Sequence, residues 1–120
     1  MKRIIKLIIL LLVLFTTTNA VSANNKDNCI RLLGAGIYND YLEANCGFKG
    51  GVAGMLNSMY TEAGCRSIVE QYEVDNTIKE VFNDSDKRLK VMGKKKFCNA
   101  NKKAYYDLVV PVQKSRNLKQ

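Results

Sequence analysis

The chain has 120 residues, of which 19 are Lys or Arg and 11 are Asp or Glu, so its formal net charge is +8. It contains four cysteines and no histidine. The absence of histidine excludes the usual Ser/His and Cys/His nucleophile arrangements and removes the commonest general base at neutral pH. We therefore expect no catalytic residue.

Residues 1–23 have the organisation of a secretory signal peptide. They begin with basic residues, continue with an unbroken apolar run over 7–15, and end with small residues at 21–23. The apolar run is shorter than the roughly 20 residues that span a bilayer, which favours cleavage over a retained membrane anchor. We expect cleavage after Ala23, with Ala20 as the alternative, and a periplasmic protein, although secretion from the cell stays open.

The cysteines predict a disulfide framework. Removal of the leader leaves 97 residues (120 minus 23), near the size at which a core alone gives little stability. An even number of cysteines in a small exported chain is typical of disulfides. A metal site is disfavoured because there is no histidine and no CxxC pair. We expect no metal and no cofactor. The cysteines are Cys29, Cys46, Cys65 and Cys98.

Four cysteines allow three pairings, and helix length favours one of them. If the first helix is continuous, Cys29 and Cys46 lie about 25 Å apart along it, which is too far for a bond. The second helix returns the chain towards the start of the first and brings Cys65 close to Cys29. We therefore favour Cys29–Cys65 together with Cys46–Cys98.

The mature chain predicts an all-α fold, because apolar residues recur at helical spacing. A first helix, capped by Asp27 or Asn28, runs to about Ala44, and a turn at 46–51 precedes a second helix over 52–63. The residues predicted to point inward on the first helix are Cys29, Leu33, Gly36, Ile37, Tyr41 and Ala44. Those on the second are Val52, Leu56, Met59 or Tyr60, and Ala63.

A third helix is predicted over 66–82, with 73–76 as a point of interruption. The polar run 83–86 then ends that helix and caps the next. The inward residues predicted here are Val69, Tyr72, Ile78, Val81, Phe82, Leu89 and Met92. We expect a small four-helix bundle-like domain over 24–110, stapled by two disulfides, and a flexible basic tail over 111–120.

The last predicted helix has a packing face and an opposite basic face. Its predicted inward residues are Phe97, Ala100, Ala104 and Leu108, with Cys98 and Tyr105 at the boundary. A stripe on the opposite face is the predicted partner-binding surface, and it consists of Lys95, Lys102, Lys103 and Tyr106. The alternative interpretation is that these lysines only solvate an exposed helix and bind no partner.

The charge is unevenly distributed along the chain. Without the three basic residues of the leader the net charge falls from +8 to +5. Residues 24–86 hold five basic and ten acidic side chains, a balance of −5, whereas 87–120 hold eleven basic and one acidic, a balance of +10. This asymmetry favours attraction of an acidic protein partner to the last helix. Sparse aromatic residues argue against nucleic acid, and a modest apolar face makes a membrane surface less favoured.

The carboxylate pairs and the glycine-rich segment are explained by local structure and do not require a catalytic role. The carboxylate pairs Glu70/Glu73 and Asp84/Asp86 are placed as in helix caps, which are far commoner than acid-base pairs. The glycines between 47 and 54 do not form the GxxxxGK pattern of a phosphate loop. Both observations argue against an enzyme.

The order of features resembles that of the small periplasmic immunity proteins that neutralise cell-wall amidase effectors of bacterial type VI secretion. The similar elements are Cys29-Ile30 with Tyr38 further on, Tyr60-Thr61-Glu62-Ala63-Gly64, and Leu89 and Met92 before Cys98 and the Tyr105-Tyr106-x-Leu108 ending. A second cysteine pair and the lysine-rich last helix depart from that pattern. The resemblance implies an all-helical inhibitor that occludes a toxin's active site, and it assigns no contact residue.

We therefore expect an exported protein-binding module, most simply an inhibitor or immunity protein. The first alternative is a structural or accessory component of an envelope or secretion apparatus. The second is a secreted basic protein that acts on membranes. The sequence leaves the oligomeric state open.

Overall fold

The computed structural model describes the backbone of residues 25–117 and the side chains of residues 25–109. Over this range the chain is all-α, with five helices and no strand. The helices are α1 (25–46), α2 (Val52–Glu62), α3 (Cys65–Ile68), α4 (Gln71–Met92) and α5 (Lys94–Asn117). The predicted signal peptide and its cleavage site lie outside the described residues.

The predicted disulfide pairing is confirmed. Cys29 bonds to Cys65 and Cys46 bonds to Cys98, each pair with Cα atoms 5.5 Å apart. The first bond joins the start of α1 to α3, and the second joins the end of α1 to α5. Two disulfides indicate an oxidising, exported environment. Between residues 25 and 117 no helix is both long enough and apolar enough to cross a bilayer.

Helix α1 is central, and other helices cover three of its sides. A Cβ atom added at Gly34 would lie 3.7 Å from Val81 of α4, and one added at Gly36 would lie 3.7 Å from Leu56 of α2. The Cys46 disulfide joins a third side to α5. Successive helical residues are 100° apart, so these contacts point in different directions. The two glycines let α2 and α4 approach the central helix closely.

Two clusters of buried side chains form the core. The larger joins α1, α2 and α5 and contains Tyr41, Leu42, Phe48, Val52, Leu56, Phe97 and Tyr105. The smaller surrounds the first disulfide and contains Cys29, Tyr60, Cys65 and Val69. Burial is therefore confirmed for the predicted inward residues Cys29, Tyr41, Val52, Leu56, Tyr60, Val69 and Phe97.

Most of the residues predicted to be buried on α4 are exposed, so these predictions are wrong. Tyr72, Ile78 and Phe82 are 60%, 44% and 50% exposed. Helix α4 lies at the periphery, and Ser85 is its only buried residue in the described structure. A peripheral helix buries a narrow stripe, so apolar residues beside the stripe stay accessible. The other predicted inward residues that are exposed are Ala44, Ala63, Met92, Ala100, Ala104 and Leu108, and of the alternatives Met59 and Tyr60 it is Tyr60 that is buried.

The predicted third helix is divided at a different place from the one expected. The chain leaves the helical conformation at Val69 and Glu70, not at 73–76 or 83–86. Glu70 is the N-cap of α4, and the carboxylate of Glu73 accepts a hydrogen bond of 3.4 Å from its backbone N–H. The Glu70 side chain in turn accepts a hydrogen bond from the backbone N–H of Glu73. These two reciprocal hydrogen bonds form a capping box. Glu70 and Glu73 therefore begin a helix, as the sequence predicts for such carboxylate pairs.

The polar run 83–86 lies inside α4, because its side chains find partners within the helix. The Ser85 hydroxyl donates to the backbone carbonyl of Val81 at 2.6 Å. Asp84 and Asp86 form ion pairs with basic residues one turn later, Arg88 and Lys90. Such pairs stabilise an exposed helix modestly. Helix α4 ends at Gly93, whose φ of 81° favours glycine.

Helix α5 continues past Pro111 to Asn117, so it does not end where the predicted tail begins. Proline has no N–H to donate within a helix, which makes it a frequent helix boundary. The flexibility predicted for 111–120 stays a prediction.

Gly50 and Gly54 offer a matched test of this packing. A Cβ atom at Gly50 would collide with Val109 and lie 3.1 Å from the Tyr105 ring, whereas one at Gly54 meets nothing within 4 Å. Gly50→Ala should lower the free energy of unfolding by about 1–3 kcal/mol through overpacking. Gly54→Ala should raise it by about 0.5–1 kcal/mol, because alanine favours the interior of α2. Urea unfolding measures both, and a Gly50→Ala variant as stable as the parent would contradict the packing of α5 on this loop.

Candidate protein-binding surface

Helix α5 packs through residues spaced four apart. Phe97 and Tyr105 are buried, and Asn101 between them accepts a hydrogen bond from the Tyr38 hydroxyl of α1. The packing face predicted from the sequence is thus correct at Phe97 and wrong over the rest of the helix. Tyr105, which the sequence predicts at the boundary, lies at the centre of the contact. The helix is rotated towards Tyr105 because its large ring and its hydroxyl both find partners there.

The Tyr105 hydroxyl connects three segments of the chain. It donates a hydrogen bond of 2.7 Å to Oε2 of Glu43 in α1 and accepts one of 2.8 Å from the N–H of Gly50. The same carboxylate oxygen of Glu43 accepts from the N–H of Ala53 in α2 at 3.4 Å. Burial, and then the Glu43 carboxylate, raise the pKa of Tyr105, so the hydroxyl keeps its proton at neutral pH. This network holds α5, the loop and α2 together.

Tyr106 is a half-exposed ring held on one side. Its centroid lies 5.5 Å from that of Phe48 and 4.9 Å from that of Tyr105. Its hydroxyl accepts a hydrogen bond of 3.5 Å from the N–H of Lys49. The residue is nevertheless 40% exposed. Tyr106 therefore presents aromatic surface to solvent with little side-chain freedom left to lose on binding.

The structure brings three of the four predicted binding residues together. Lys102, Lys103 and Tyr106 line one shallow depression on α5, with Asn99 and Asp107. Lys95 is exposed but lies outside this depression, one helical turn before Asn99. The stripe is thus continuous along the helix rather than gathered at one point.

The lysines of the stripe differ in whether an acidic side chain neutralises their charge. Lys103 forms an ion pair of 2.8 Å with Asp107, and that hydrogen bond raises the pKa of Lys103. Lys95 and Lys102 make no ion pair among the described residues. We therefore expect Lys95 and Lys102 to contribute more than Lys103 to attraction of an acidic partner.

Sequence reasoning missed the contribution of the loop between α1 and α2. The loop places exposed Lys49 beside the Tyr106 hydroxyl and Phe48 beneath its ring. The signal was present in the cysteines, since a bond between Cys46 and Cys98 brings residues just after the first to α5. We call the complete set the basic surface, and it consists of Lys49, Lys95, Lys102, Lys103 and Tyr106.

The start of α5 adds further positive charge in an unfavourable place. Lys94, Lys95 and Lys96 occupy its first turn, which has no acidic residue. The N-terminus of a helix carries a partial positive charge, so each lysine there reduces helix stability. None of the three forms an ion pair in the part of the chain that the structure describes. The fold therefore tolerates concentrated positive charge at this end of the basic surface.

Comparison of the chain with protein-family models, curated proteins and solved structures gave no match. Between residues 25 and 117 no group of three or more Cys, Asp or Glu side chains is placed to hold a metal ion.

Proposed function

We propose that the protein is a periplasmic binding module that inhibits or neutralises a toxin or effector by covering an acidic part of its surface, without catalysing a reaction. The observation that carries the proposal is the basic surface: a rigid aromatic residue among exposed lysines on a helix fastened to the core. The leader sequence supports export, and the resemblance to amidase immunity proteins supports neutralisation.

Tyr106 has the properties of a central contact. Interface residues that lose most affinity when truncated are enriched in tyrosine and lie in well-packed centres. Phe48 and Tyr105 already restrain this ring, so binding would cost little side-chain entropy. A partner that covers the exposed side of the ring would bury apolar area against a surface that does not need to rearrange.

The lysines have a different role, which is to accelerate the encounter. Charges at the rim of an interface act mainly on the association rate and on its salt dependence. The part of the chain from 87 to 120 has eleven basic residues and one acidic residue, so its field is strongly positive. That field attracts an acidic partner to the helix that carries Tyr106.

The experiment begins with recovery of a stoichiometric partner from periplasmic extract, followed by binding kinetics at low and high salt. Replacing Lys95 and Lys102 with glutamate should slow association about tenfold at low salt and less at high salt. Tyr106→Ala should instead speed dissociation, at a cost of about 1–3 kcal/mol. Lys79→Glu is the control, since Lys79 is an exposed lysine of α4 outside the basic surface.

Three outcomes would count against this function. If the charge-reversed protein and Tyr106→Ala both bind like the parent, the lysines only solvate a helix. If Lys79→Glu, which changes the net charge by half as much, slows association about half as much as the double reversal, net charge matters but the basic surface does not. If the protein instead binds anionic vesicles and no protein, the membrane-active alternative replaces the inhibitor.

A further inference from the structure

A second surface lies between α1 and α2, beside the smaller core cluster. Leu33, Ile37 and Asp40 follow one another along α1, at spacings of four and three residues. Together with α2 they form a groove of about 300 Å³. Its lining consists of Leu32, Leu33, Gly36, Ile37, Asp40, Ala53, Gly54, Leu56, Asn57 and Tyr60.

Gly54 on the wall of this groove has no explanation within the fold. It lies inside α2, where glycine is among the least favourable residues. Its backbone does not have a positive φ, and an added Cβ atom would meet nothing within 4 Å. The described fold therefore does not require glycine there. A glycine does let another backbone come close to the helix.

Tyr60 provides an independent observation at the same groove. The residue is 6% exposed, and its hydroxyl is buried without a hydrogen-bond partner among the described residues. Buried hydroxyl groups nearly always have a partner, because an unpaired one is costly.

The charged and apolar residues of the groove indicate which kind of side chain would bind there. Asp40 is the only charged side chain in the lining, and it is exposed. The aliphatic residues Leu33, Ile37 and Leu56 supply an apolar floor. The groove also belongs to the part of the chain, 24–86, whose net charge is −5. An aliphatic side chain close to a cation fits both properties.

We propose that this groove binds a helical segment of a protein partner that presents an aliphatic side chain one turn from a Lys or Arg. An amphipathic helix laid in an apolar groove is an established mode of recognition, with contacts at i, i+3, i+4 and i+7. The aliphatic side chain lies between α1 and α2, the cation pairs with Asp40, and Gly54 lets the helix backbone approach. The proposal does not rest on the basic surface, which belongs to α5 and the loop.

The test uses two designed helical peptides of equal length as probes. Both have a leucine face, and one carries lysines beside that face where the other carries glutamates. Amide NMR spectra of the isotope-labelled mature protein locate each peptide. The lysine peptide should shift the signals of Leu33, Ile37 and Asn57 at the groove. The glutamate peptide should leave these signals unchanged, whatever it does at the basic surface.

Three variants sharpen the result. Gly54→Leu places a side chain at the mouth of the groove and should weaken binding of the lysine peptide at least tenfold. Gly54→Ala adds a methyl group where the two backbones come closest and should weaken binding, but less than Gly54→Leu does. Asp40→Lys should abolish the preference for lysine over glutamate. Thermal unfolding shows that the variants are folded, since both substitutions of Gly54 favour the helix.

The proposal is overturned if the lysine peptide shifts signals across the whole surface, or if Gly54→Leu binds it as the parent does. Equal groove shifts from the lysine and glutamate peptides would also overturn it. Failure of the function proposed for the basic surface would appear in the kinetics of the Lys95, Lys102 and Tyr106 variants and would leave these peptide results unchanged.

Discussion

Replacing Cys46 and Cys98 with alanine is expected to lower the free energy of unfolding by about 2–4 kcal/mol. The bond closes a loop with a sequence separation of 52 and fastens the end of α1 to α5. Without it the unfolded chain gains conformational freedom, and a domain of this size has a small total stability to lose. Urea unfolding without a reducing agent measures the difference in the free energy of unfolding between the variant and the parent.

The same variant should also weaken partner binding, because the bond adjoins the loop that supports Tyr106. Replacing Cys29 and Cys65 provides the control. That bond has a sequence separation of 36 and joins α1 to α3, away from the basic surface. Its removal should lower stability by a similar amount and leave binding by the folded protein unchanged. Equal loss of binding in both variants would show that the effect is general destabilisation.

Phe97→Ala is expected to lower the free energy of unfolding by about 3–5 kcal/mol. The ring is 1% exposed and meets Tyr41 edge to face, with centroids 5.9 Å apart. Truncation would remove this contact and open a cavity between α1 and α5. Thermal and urea unfolding of the disulfide-bonded variant measure the cost, and Phe97→Leu supplies a milder substitution if the alanine variant does not fold.

Leu108→Ala is the matched control for Phe97→Ala. The sequence predicts both residues on the packing face of the last helix, but Leu108 is 40% exposed. Its truncation should therefore cost less than about 1 kcal/mol. A large cost at Leu108 together with a small cost at Phe97 would contradict the observed rotation of α5.

The fold class, and the exclusion of one of the three disulfide pairings, follow from local features of the sequence. Helical spacing of apolar residues needs no knowledge of neighbouring elements, so the all-α class is accessible directly. The length of the first helix excludes a bond between Cys29 and Cys46, because a helix rises by a known distance per residue. The outward position of Lys95, Lys102 and Lys103 is likewise a matter of periodicity and charge.

Tertiary structure alone decided the boundaries and rotation of the later helices. The run 83–86 is typical of a cap, yet it lies inside α4, where Ser85 is buried and the Tyr41 hydroxyl of α1 donates a hydrogen bond of 3.2 Å to Asp86. The orientation of α5 depends on the partners that Tyr105 finds in Glu43 and Gly50. Those partners lie 62 and 55 residues away in sequence, beyond the reach of any local pattern.

The basic surface and the groove also differ in how far the sequence predicts them, because one depends on a single helix and the other on the packing of two. The basic surface was predictable on α5, where its residues share one helix face, but Lys49 joins it only through the folded loop. The groove was not predictable, since it forms between α1 and α2 and the sequence assigns its aliphatic residues Leu33, Ile37 and Leu56 to the core. Periodicity identifies which residues are apolar on a helix. Only the arrangement of the other helices around α1 determines which of those residues are covered.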